Sequence, residues 1–320
     1  MTTTGPATDA VTSIAEALRH FRNEGPSKAV PAPGPELKRE AAPGPPRERI
    51  HHPLPNGDIY YARTVDSSTD VEVLRRNRGT TIRDNLYVLL TGRPGTGKSR
   101  VPLAAFGEEL IVIEGDGDTS VDEFLGGWVQ NPDGTYGWVD GPLVVAAENG
   151  WPLFIDEIAQ ISPKVMACVY AAMDGRGRFT IKSNHRRGTI IVKDGFYVVG
   201  ACNPDAPGAK MSEALLSRFL IHLEATTDYD LAKHLGVPSK AVTAAKNLAV
   251  RRDEKTCGWA PEMRELLAFR DAAERMGITF AVANMIGASP ADSRPIVADA
   301  LSRAFGSAVA PLRMGPGATR

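Results

Sequence analysis

The stretch that decides the fold is LYVLLTGRPGTGKS, residues 86–99. Its first six residues form an apolar run of strand length, and its last eight satisfy the spacing G-x-x-x-x-G-K-[ST]. Glycines at this spacing let the backbone wrap a phosphate chain with several N–H groups pointing inward, and the positive end of a following helix favours the same anion. A strand that runs directly into such a loop and then into a helix therefore predicts a site for nucleotide phosphates.

The loop residues are the predicted nucleotide contacts: Gly92, Arg93, Pro94, Gly95, Thr96, Gly97, Lys98, Ser99 and the following Arg100. In this prediction the Lys98 ammonium meets the β and γ phosphates of ATP, and the Ser99 hydroxyl is a ligand of Mg²⁺. The alternative, a chance glycine-rich turn before a helix, does not account for the full match in its required context.

Four more apolar runs of strand length follow the loop, at residues 109–114, 151–155, 196–201 and 219–223. The segments between them read as helices, notably residues 99–106, 142–149 and 163–174. Short apolar strands that alternate with helices indicate a parallel sheet covered on both faces. We therefore predict an α/β fold of the three-layer sandwich type at residues 58–227.

The third run leads into two acids in LFIDEI, residues 153–158. Asp156 is predicted at the carboxyl edge of the sheet, where open α/β sheets bind ligands, and can hold Mg²⁺ directly or through water. Glu157 can orient and polarise the attacking water. On its own the pattern is also that of a strand running into a helix cap, so its weight comes from the phosphate-binding loop upstream.

Three further residues are candidates for the same chemistry. Asn203, after the fourth run, can hydrogen-bond the γ-phosphate or the water, although Asn-Pro also opens ordinary turns. Arg218 can complete the site of a neighbouring subunit, or be a surface arginine at a helix end. Arg264, near the start of a predicted helix, can fold back onto the phosphates, or be one arginine among many.

The rest of the chain differs in composition. Residues 8–22 have the spacing of one short helix, and residues 25–57 hold 13 Gly or Pro in 33 positions, which predicts a linker and a largely disordered segment 1–57. Beyond the fifth strand, residues 228–235, 239–252, 260–276 and 291–305 read as helices. They predict a helical lid at 228–306, followed by a tail at 307–320.

Composition limits the location and the partners. Lys plus Arg (37) balance Asp plus Glu (38), so overall charge gives no argument for a nucleic-acid or membrane partner. No apolar run approaches the roughly 18 residues that span a bilayer. No secretory signal is apparent, and three scattered cysteines fit a reducing compartment. We expect a cytoplasmic protein that does not enter a membrane.

Together these residues resemble the AAA+ ATPases over residues 58–306. The resemblance implies Walker A at 92–99, Walker B at 153–157, sensor 1 at Asn203, an arginine finger at Arg218 and sensor 2 at Arg264. The last assignment departs from the usual pattern, in which the arginine lies nearer the proline. The resemblance also implies ATP and Mg²⁺ as ligands.

Two segments resemble the MoxR-type clade, which includes the CbbQ and NorQ activators. They are a hairpin at 126–141 before Walker B and a second hairpin at 177–195 before sensor 1. The clade implies a homo-oligomeric ring, usually a hexamer, with a remodelling or metal-insertion role on a protein client, often through a von Willebrand A-type partner.

Each hairpin has two interpretations. The aromatic residues of the first either grip a client at a ring pore or pack on the body: Trp128, Tyr136 and Trp138. The basic residues of the second either contact nucleic acid or form a solvated loop, which the neutral overall charge favours: Lys182, His185, Arg186, Arg187 and Lys193. A nucleic-acid motor is therefore the main alternative function. Glu157 and Arg218 argue against a non-hydrolysing scaffold. The sequence shows no dedicated site for a phosphate acceptor, which argues against a metabolic kinase.

Overall fold

Two short antiparallel hairpins open the part of the chain that the computed structural model describes, residues 49–209 and 211–315. β1 (His51–Pro53) pairs with β2 (Ile59–Tyr61), and β3 (Thr64–Val65) pairs with β4 (Ser68–Thr69). The folded domain thus begins before residue 58, where the sequence predicted its start. The Pro and Gly content of this segment does not reveal that β2 supplies an antiparallel partner for β1. The predicted helix at 8–22 lies outside the described residues.

A short helix follows the hairpins. α1 (Asp70–Asn77) begins at Thr69, whose hydroxyl accepts a hydrogen bond from the Glu72 backbone N–H, while the Glu72 carboxylate accepts from the Thr69 N–H. This reciprocal cap satisfies two backbone donors that a helix start otherwise leaves without partners.

Strands and helices then alternate along the chain. Their order is β5 (Val88–Thr91), α2 (Arg100–Phe106), β6 (Ile111–Glu114), α3 (Val121–Leu125), β7 (Gly126–Gln130), β8 (Tyr136–Asp140), α4 (Pro142–Asn149), β9 (Pro152–Asp156), α5 (Pro163–Met173), β10 (Arg178–Thr180), β11 (Thr189–Ile191), β12 (Tyr197–Cys202), α6 (Glu213–Leu216) and β13 (Ile221–Glu224). The two predicted hairpins are β7–β8 and β10–β11, each antiparallel.

The five predicted core strands form one parallel sheet in the order β13-β5-β12-β9-β6. All six residues of β12, which lies at the centre, are buried, as expected for a strand covered on both faces. The parallel register brings the carboxyl ends of the strands to one edge of the sheet. The predicted α/β fold is confirmed, and this edge is where the site residues must be sought.

Beyond the sheet the chain is helical. The segment consists of α7 (Tyr229–His234), α8 (Ser239–Asp253), α9 (Met263–Met276), α10 (Ile278–Ala288) and α11 (Arg294–Phe305), which share a second apolar core. The sequence-based reading missed α10, because its apolar residues do not leave a polar face to mark the helical period. Among the described residues, no helix combines the length and the apolar character needed to cross a bilayer.

Candidate functional site

The predicted phosphate-binding loop connects β5 to α2. Gly92 has φ 144°, and a Cβ at this position would lie 2.4 Å from the carbonyl oxygen of Ala225, so the backbone there tolerates only glycine. Gly95 and Gly97 also have positive φ, at 84° and 87°. These glycines give the loop the turn that the sequence pattern predicts, at the carboxyl end of a central strand.

Lys98 lies inside this loop and is only 6% exposed. Its Nζ donates hydrogen bonds to the carbonyl oxygens of Gly92 (2.8 Å) and Arg93 (3.1 Å). Burial lowers the pKa of Lys98 below its ordinary value, and the nearby carboxylates of Glu157 and Asp156 counteract part of that effect. A largely desolvated lysine beside a loop of backbone N–H groups is suited to hold a phosphate group.

The predicted metal ligands are in direct contact. Ser99 Oγ donates a hydrogen bond of 2.6 Å to Asp156 Oδ2, and the other carboxylate oxygen accepts from the Glu157 N–H at 3.0 Å. Mg²⁺ is usually held by one or two carboxylates together with phosphate and water oxygens, and Walker A hydroxyls join this set. The Ser99 and Asp156 oxygens therefore fit the ion that the prediction requires.

Glu157 is the most unusual residue of the site. Its backbone is left-handed, with φ 47° and ψ 36°, and its Oε2 is buried without a hydrogen-bond partner among the described residues. Left-handed backbone in a residue other than glycine and an unpaired buried carboxylate oxygen both cost free energy, and such costs cluster at functional sites.

Asn203 follows β12 directly, at the same edge of the sheet. Its Oδ1 accepts a hydrogen bond from the Asp205 N–H at 3.2 Å, so the predicted turn is also present. The residue lines a cavity of about 640 Å³ together with Gly92, Arg93 and Thr96 of the loop. The turn and the predicted role are therefore compatible, since the turn orients an amide beside the loop.

Arg264 reaches the loop from the helical segment. Its backbone N–H donates to the Gly95 carbonyl oxygen at 3.1 Å, and its Cβ is 3.0 Å from the position of a Cβ on Gly95. The Arg264 charge is also close enough to contribute to the lowered pKa of Lys98. The weakest of the sequence-based assignments is thus next to the phosphate-binding loop, at the first turn of α9.

Arg218 is the one predicted residue that is not beside the loop of its own chain. It follows α6, and its guanidinium lies 4.9 Å from the centre of the Tyr170 ring, within cation–π range. It does not line the cavity of about 640 Å³ that Asn203 lines. A role in catalysis would require a second subunit, which is the role that the resemblance implies.

Arg63 is a further residue at the loop, and the sequence patterns did not predict it. Its guanidinium donates to the carbonyl oxygens of Thr96 (2.9 Å) and Thr226 (3.4 Å), and its Nε donates to Asp70 (3.1 Å). Arg63 thereby ties the second hairpin to the loop and to the segment after β13. No motif contains it, so only the three-dimensional contacts identify it.

A small apolar cleft of about 80 Å³ lies beside Thr96 and Gly97. Side chains from β2 and from the helical segment line it, including Tyr60, Leu231 and Met263. The cleft therefore lies next to the phosphate-binding loop, between β2 and the helical segment.

The two hairpins differ from expectation in one respect. On β7–β8, Trp128 and Tyr136 are exposed, while Trp138 is half-buried and packs against the body. On the second hairpin, Arg187 binds Asp140 at 2.9 Å and also pairs with Glu148. The predicted basic surface therefore loses Arg187, because its charge is neutralised by carboxylates of β8 and α4 that sequence order does not place nearby.

Residues 87–219 match the model of the AAA domain of the dynein-related subfamily. The chain is 30% identical over 142 residues to the Bacillus subtilis protein YojN, covering 42% of this chain and 46% of YojN. It is 29% identical over 158 residues to the Staphylococcus haemolyticus protein SH1500, covering 47% of this chain and 59% of that protein. The chain thus spans about half the length of these curated relatives.

A solved structure, titled as that of a "putative ATPase" from Cytophaga hutchinsonii, aligns with 65% of this chain and 73% of its own, at 16% identity and a TM-score of 0.37. The family match covers the phosphate-binding loop, the acidic pair, Asn203 and Arg218. Together with the contact between Ser99 and Asp156 at the carboxyl edge of the sheet, it supports an AAA domain at residues 87–219.

Proposed function

We propose that the chain hydrolyses ATP as a ring-forming AAA+ ATPase of the MoxR-like type and remodels or activates a protein client. The observation that carries the ATPase part is the grouping of Lys98, the Ser99–Asp156 contact and the unpaired Glu157 carboxylate at one sheet edge. The two hairpins support the clade, and the family match supports the general activity.

The loop amides and Lys98 bind the β and γ phosphates of ATP, and Ser99 and Asp156 would hold Mg²⁺. When bound, the metal neutralises charge on the phosphate oxygens. Glu157 orients a water molecule toward the γ-phosphorus and accepts its proton as the bond to the β–γ bridging oxygen breaks. Asn203 hydrogen-bonds the water or the γ-phosphate, and Arg264 binds the phosphates from the lid.

Arg218 acts across a subunit boundary in this proposal. It neutralises charge that develops on the nucleotide of the adjacent protomer, so hydrolysis requires assembly. The Arg264 contact with Gly95 lets the state of the nucleotide change the position of the helical lid. In the assembled ring, movement of the lid then acts on the client.

A nucleic-acid motor is the second candidate, because Lys182, His185 and Arg186 remain exposed on the β10–β11 connection. Such a motor would show ATPase activity that rises with added DNA and falls steeply with salt. Activity that is indifferent to DNA favours the protein client.

The test is Mg²⁺-dependent phosphate release with three variants. Lys98→Ala should abolish nucleotide binding, whereas Lys240→Ala, an exposed lysine on α8, should behave as the parent. Glu157→Gln should bind ATP with little turnover, because the amide cannot accept the proton of the water. Unchanged binding by Lys98→Ala would overturn the site, and normal turnover by Glu157→Gln would mean that another group is the base.

Size measurements test the ring. Glu157→Gln in the presence of ATP should sediment as a single assembly larger than a monomer. Specific activity of the parent protein should fall on dilution. A dilute monomer that hydrolyses ATP as fast as a concentrated sample would contradict the assembly requirement.

A further inference from the structure

A second large cavity lies away from the nucleotide site. It has a volume of about 710 Å³ and is bounded by α3, by α5 and by the β10–β11 hairpin. Ligand sites in proteins commonly fall between roughly 300 and 1,000 Å³. None of the residues assigned to ATP, to Mg²⁺ or to the arginine finger lines it, so the proposed hydrolysis does not explain this cleft.

The floor of the cleft is apolar. Leu125 and Phe179 are each 7% exposed, and Cys168 and Ala171 of α5 complete the surface between them. Burial raises the pKa of Cys168 to about 12, which agrees with an apolar, poorly hydrated environment for that thiol. A floor of this kind favours the burial of an apolar side chain.

The rim of the cleft is cationic. Lys164, Arg178 and Lys182 are exposed, and none of the three has an ion-pair partner in the described part of the chain. A fourth cation on the rim, Arg176, pairs with Asp174. Asp122 is the single carboxylate among the described residues that line the cleft. This local excess of positive charge contrasts with the near-neutral balance of the whole chain.

Among the residues that the structure describes, the strand that lines the cleft has one partner. β10 pairs with β11 in a two-stranded sheet, and no described strand forms a ladder with its other edge. An extended peptide can add to such an edge, and its alternate side chains then point to opposite sides. One set of side chains can meet the floor while the other set meets the rim.

We propose that this cleft binds an extended acidic segment of a protein, in which carboxylates alternate with apolar side chains. Carboxylates would pair with Lys164, Arg178 and Lys182, and apolar side chains would cover Phe179 and Leu125. Nucleic acid fits less well, because single strands are bound on exposed aromatic platforms, and the aromatic ring of this cleft is buried in its floor. We assign this segment to the client, and that assignment rests on the proposed function.

The probe is a fluorescein-labelled peptide of four Glu-Leu repeats, titrated with the full chain in the absence of nucleotide. Its anisotropy should rise on binding, and the affinity should fall as salt is added. A Lys-Leu peptide of equal length should not bind, and a Glu-Ser peptide should bind weakly, because one lacks the charge and the other lacks the apolar side chains. Equal binding of the Lys-Leu peptide would overturn the proposal.

Charge reversal locates the site. Arg178→Glu and Lys182→Glu should each weaken binding of the Glu-Leu peptide by about tenfold or more. The matched control is Lys193→Glu, an exposed lysine of the same hairpin segment that does not line the cleft, and it should change the affinity less than about twofold. Thermal melting and basal phosphate release should stay at the parent values in all three variants.

Three results would contradict the proposal. One is unchanged peptide binding by Arg178→Glu, and another is tight binding of a labelled DNA oligonucleotide that Arg178→Glu abolishes. The third is a change in assembly mass on charge reversal with peptide binding intact, which would make this face a subunit contact. Lys98→Ala should bind the Glu-Leu peptide with the parent affinity. Loss of the nucleotide site therefore leaves peptide binding intact, whereas loss of the cleft removes it.

Discussion

Ser99 Oγ and Asp156 Oδ2 are joined by a hydrogen bond of 2.6 Å, although one residue follows β5 and the other ends β9. The parallel order of the sheet makes this contact, because β12 lies between these strands and all three end at the same edge. A hydroxyl and a carboxylate that meet in this way form two adjacent oxygen ligands for a metal ion. Their contact gives the first prediction.

Asp156→Asn should remove the effect of Mg²⁺ on ATP affinity. The amide keeps the size of the side chain but not its negative charge, so ATP should bind about tenfold or more weakly with Mg²⁺ and nearly as before with a chelator present. Calorimetric titration in both conditions measures the difference. Asp292→Asn, an exposed residue before α11, is the control and should retain the full Mg²⁺ effect. A metal effect that survives in Asp156→Asn would assign the ion to other ligands.

The sequence was sufficient for the loop, the acidic pair and the five core strands, because each depends on a local pattern. Buried parallel strands read as apolar runs, and the loop glycines have a fixed spacing. The sequence was insufficient for α10, whose apolar residues show no polar face, and for Arg63, which contacts the loop only after folding. The neutralised charge of Arg187 likewise depends on partners from β8 and α4.

Gly95→Ala should disturb the contact between the loop and the lid. A methyl group there costs about 1–2 kcal/mol for left-handed backbone and also meets the Arg264 Cβ at 3.0 Å. Gly57→Ala is a matched control, since Gly57 has nearly the same φ and no atom within 4 Å of the added Cβ. Urea unfolding should show a loss in both variants, whereas ATP affinity should fall only in Gly95→Ala. An equal ATP affinity in the two would mean that the lid does not depend on this contact.

Glu157→Asn should make the fold more stable and abolish hydrolysis. Asparagine tolerates left-handed backbone better than glutamate, and the change removes a buried carboxylate oxygen without a partner. The free energy of unfolding should rise by about 1 kcal/mol. Lys255→Asn, at φ 60° on the surface, relieves only the backbone and should give a smaller gain with activity unchanged. Denaturant unfolding of the nucleotide-free proteins measures both changes. A destabilised Glu157→Asn would show that the backbone conformation and the unpaired oxygen of Glu157 do not lower the free energy of unfolding.

Substitutions of Arg218 and of Tyr170 should lower kcat to different extents if Arg218 acts across the subunit boundary. Arg218→Ala should lower kcat by about 10³-fold or more while ATP still binds, as for arginine fingers in general. The Tyr170 ring lies under the guanidinium at 4.9 Å and should hold it in position, so Tyr170→Leu should lower kcat about three- to tenfold without a change in ATP affinity. Tyr170→Phe keeps the ring face and should have the kcat of the parent protein.

This order of effects separates positioning from general damage to the fold. Tyr170 is buried, so Tyr170→Leu also reduces packing, and a melting curve for each variant is the control for stability. Mixing Arg218→Ala with Glu157→Gln then tests the subunit boundary, because an intact arginine from one variant can serve the intact base of the other. Some activity should return in the mixture, since the two defects lie in different halves of a shared site. Two inactive variants that remain inactive when they assemble together would confine Arg218 to its own chain.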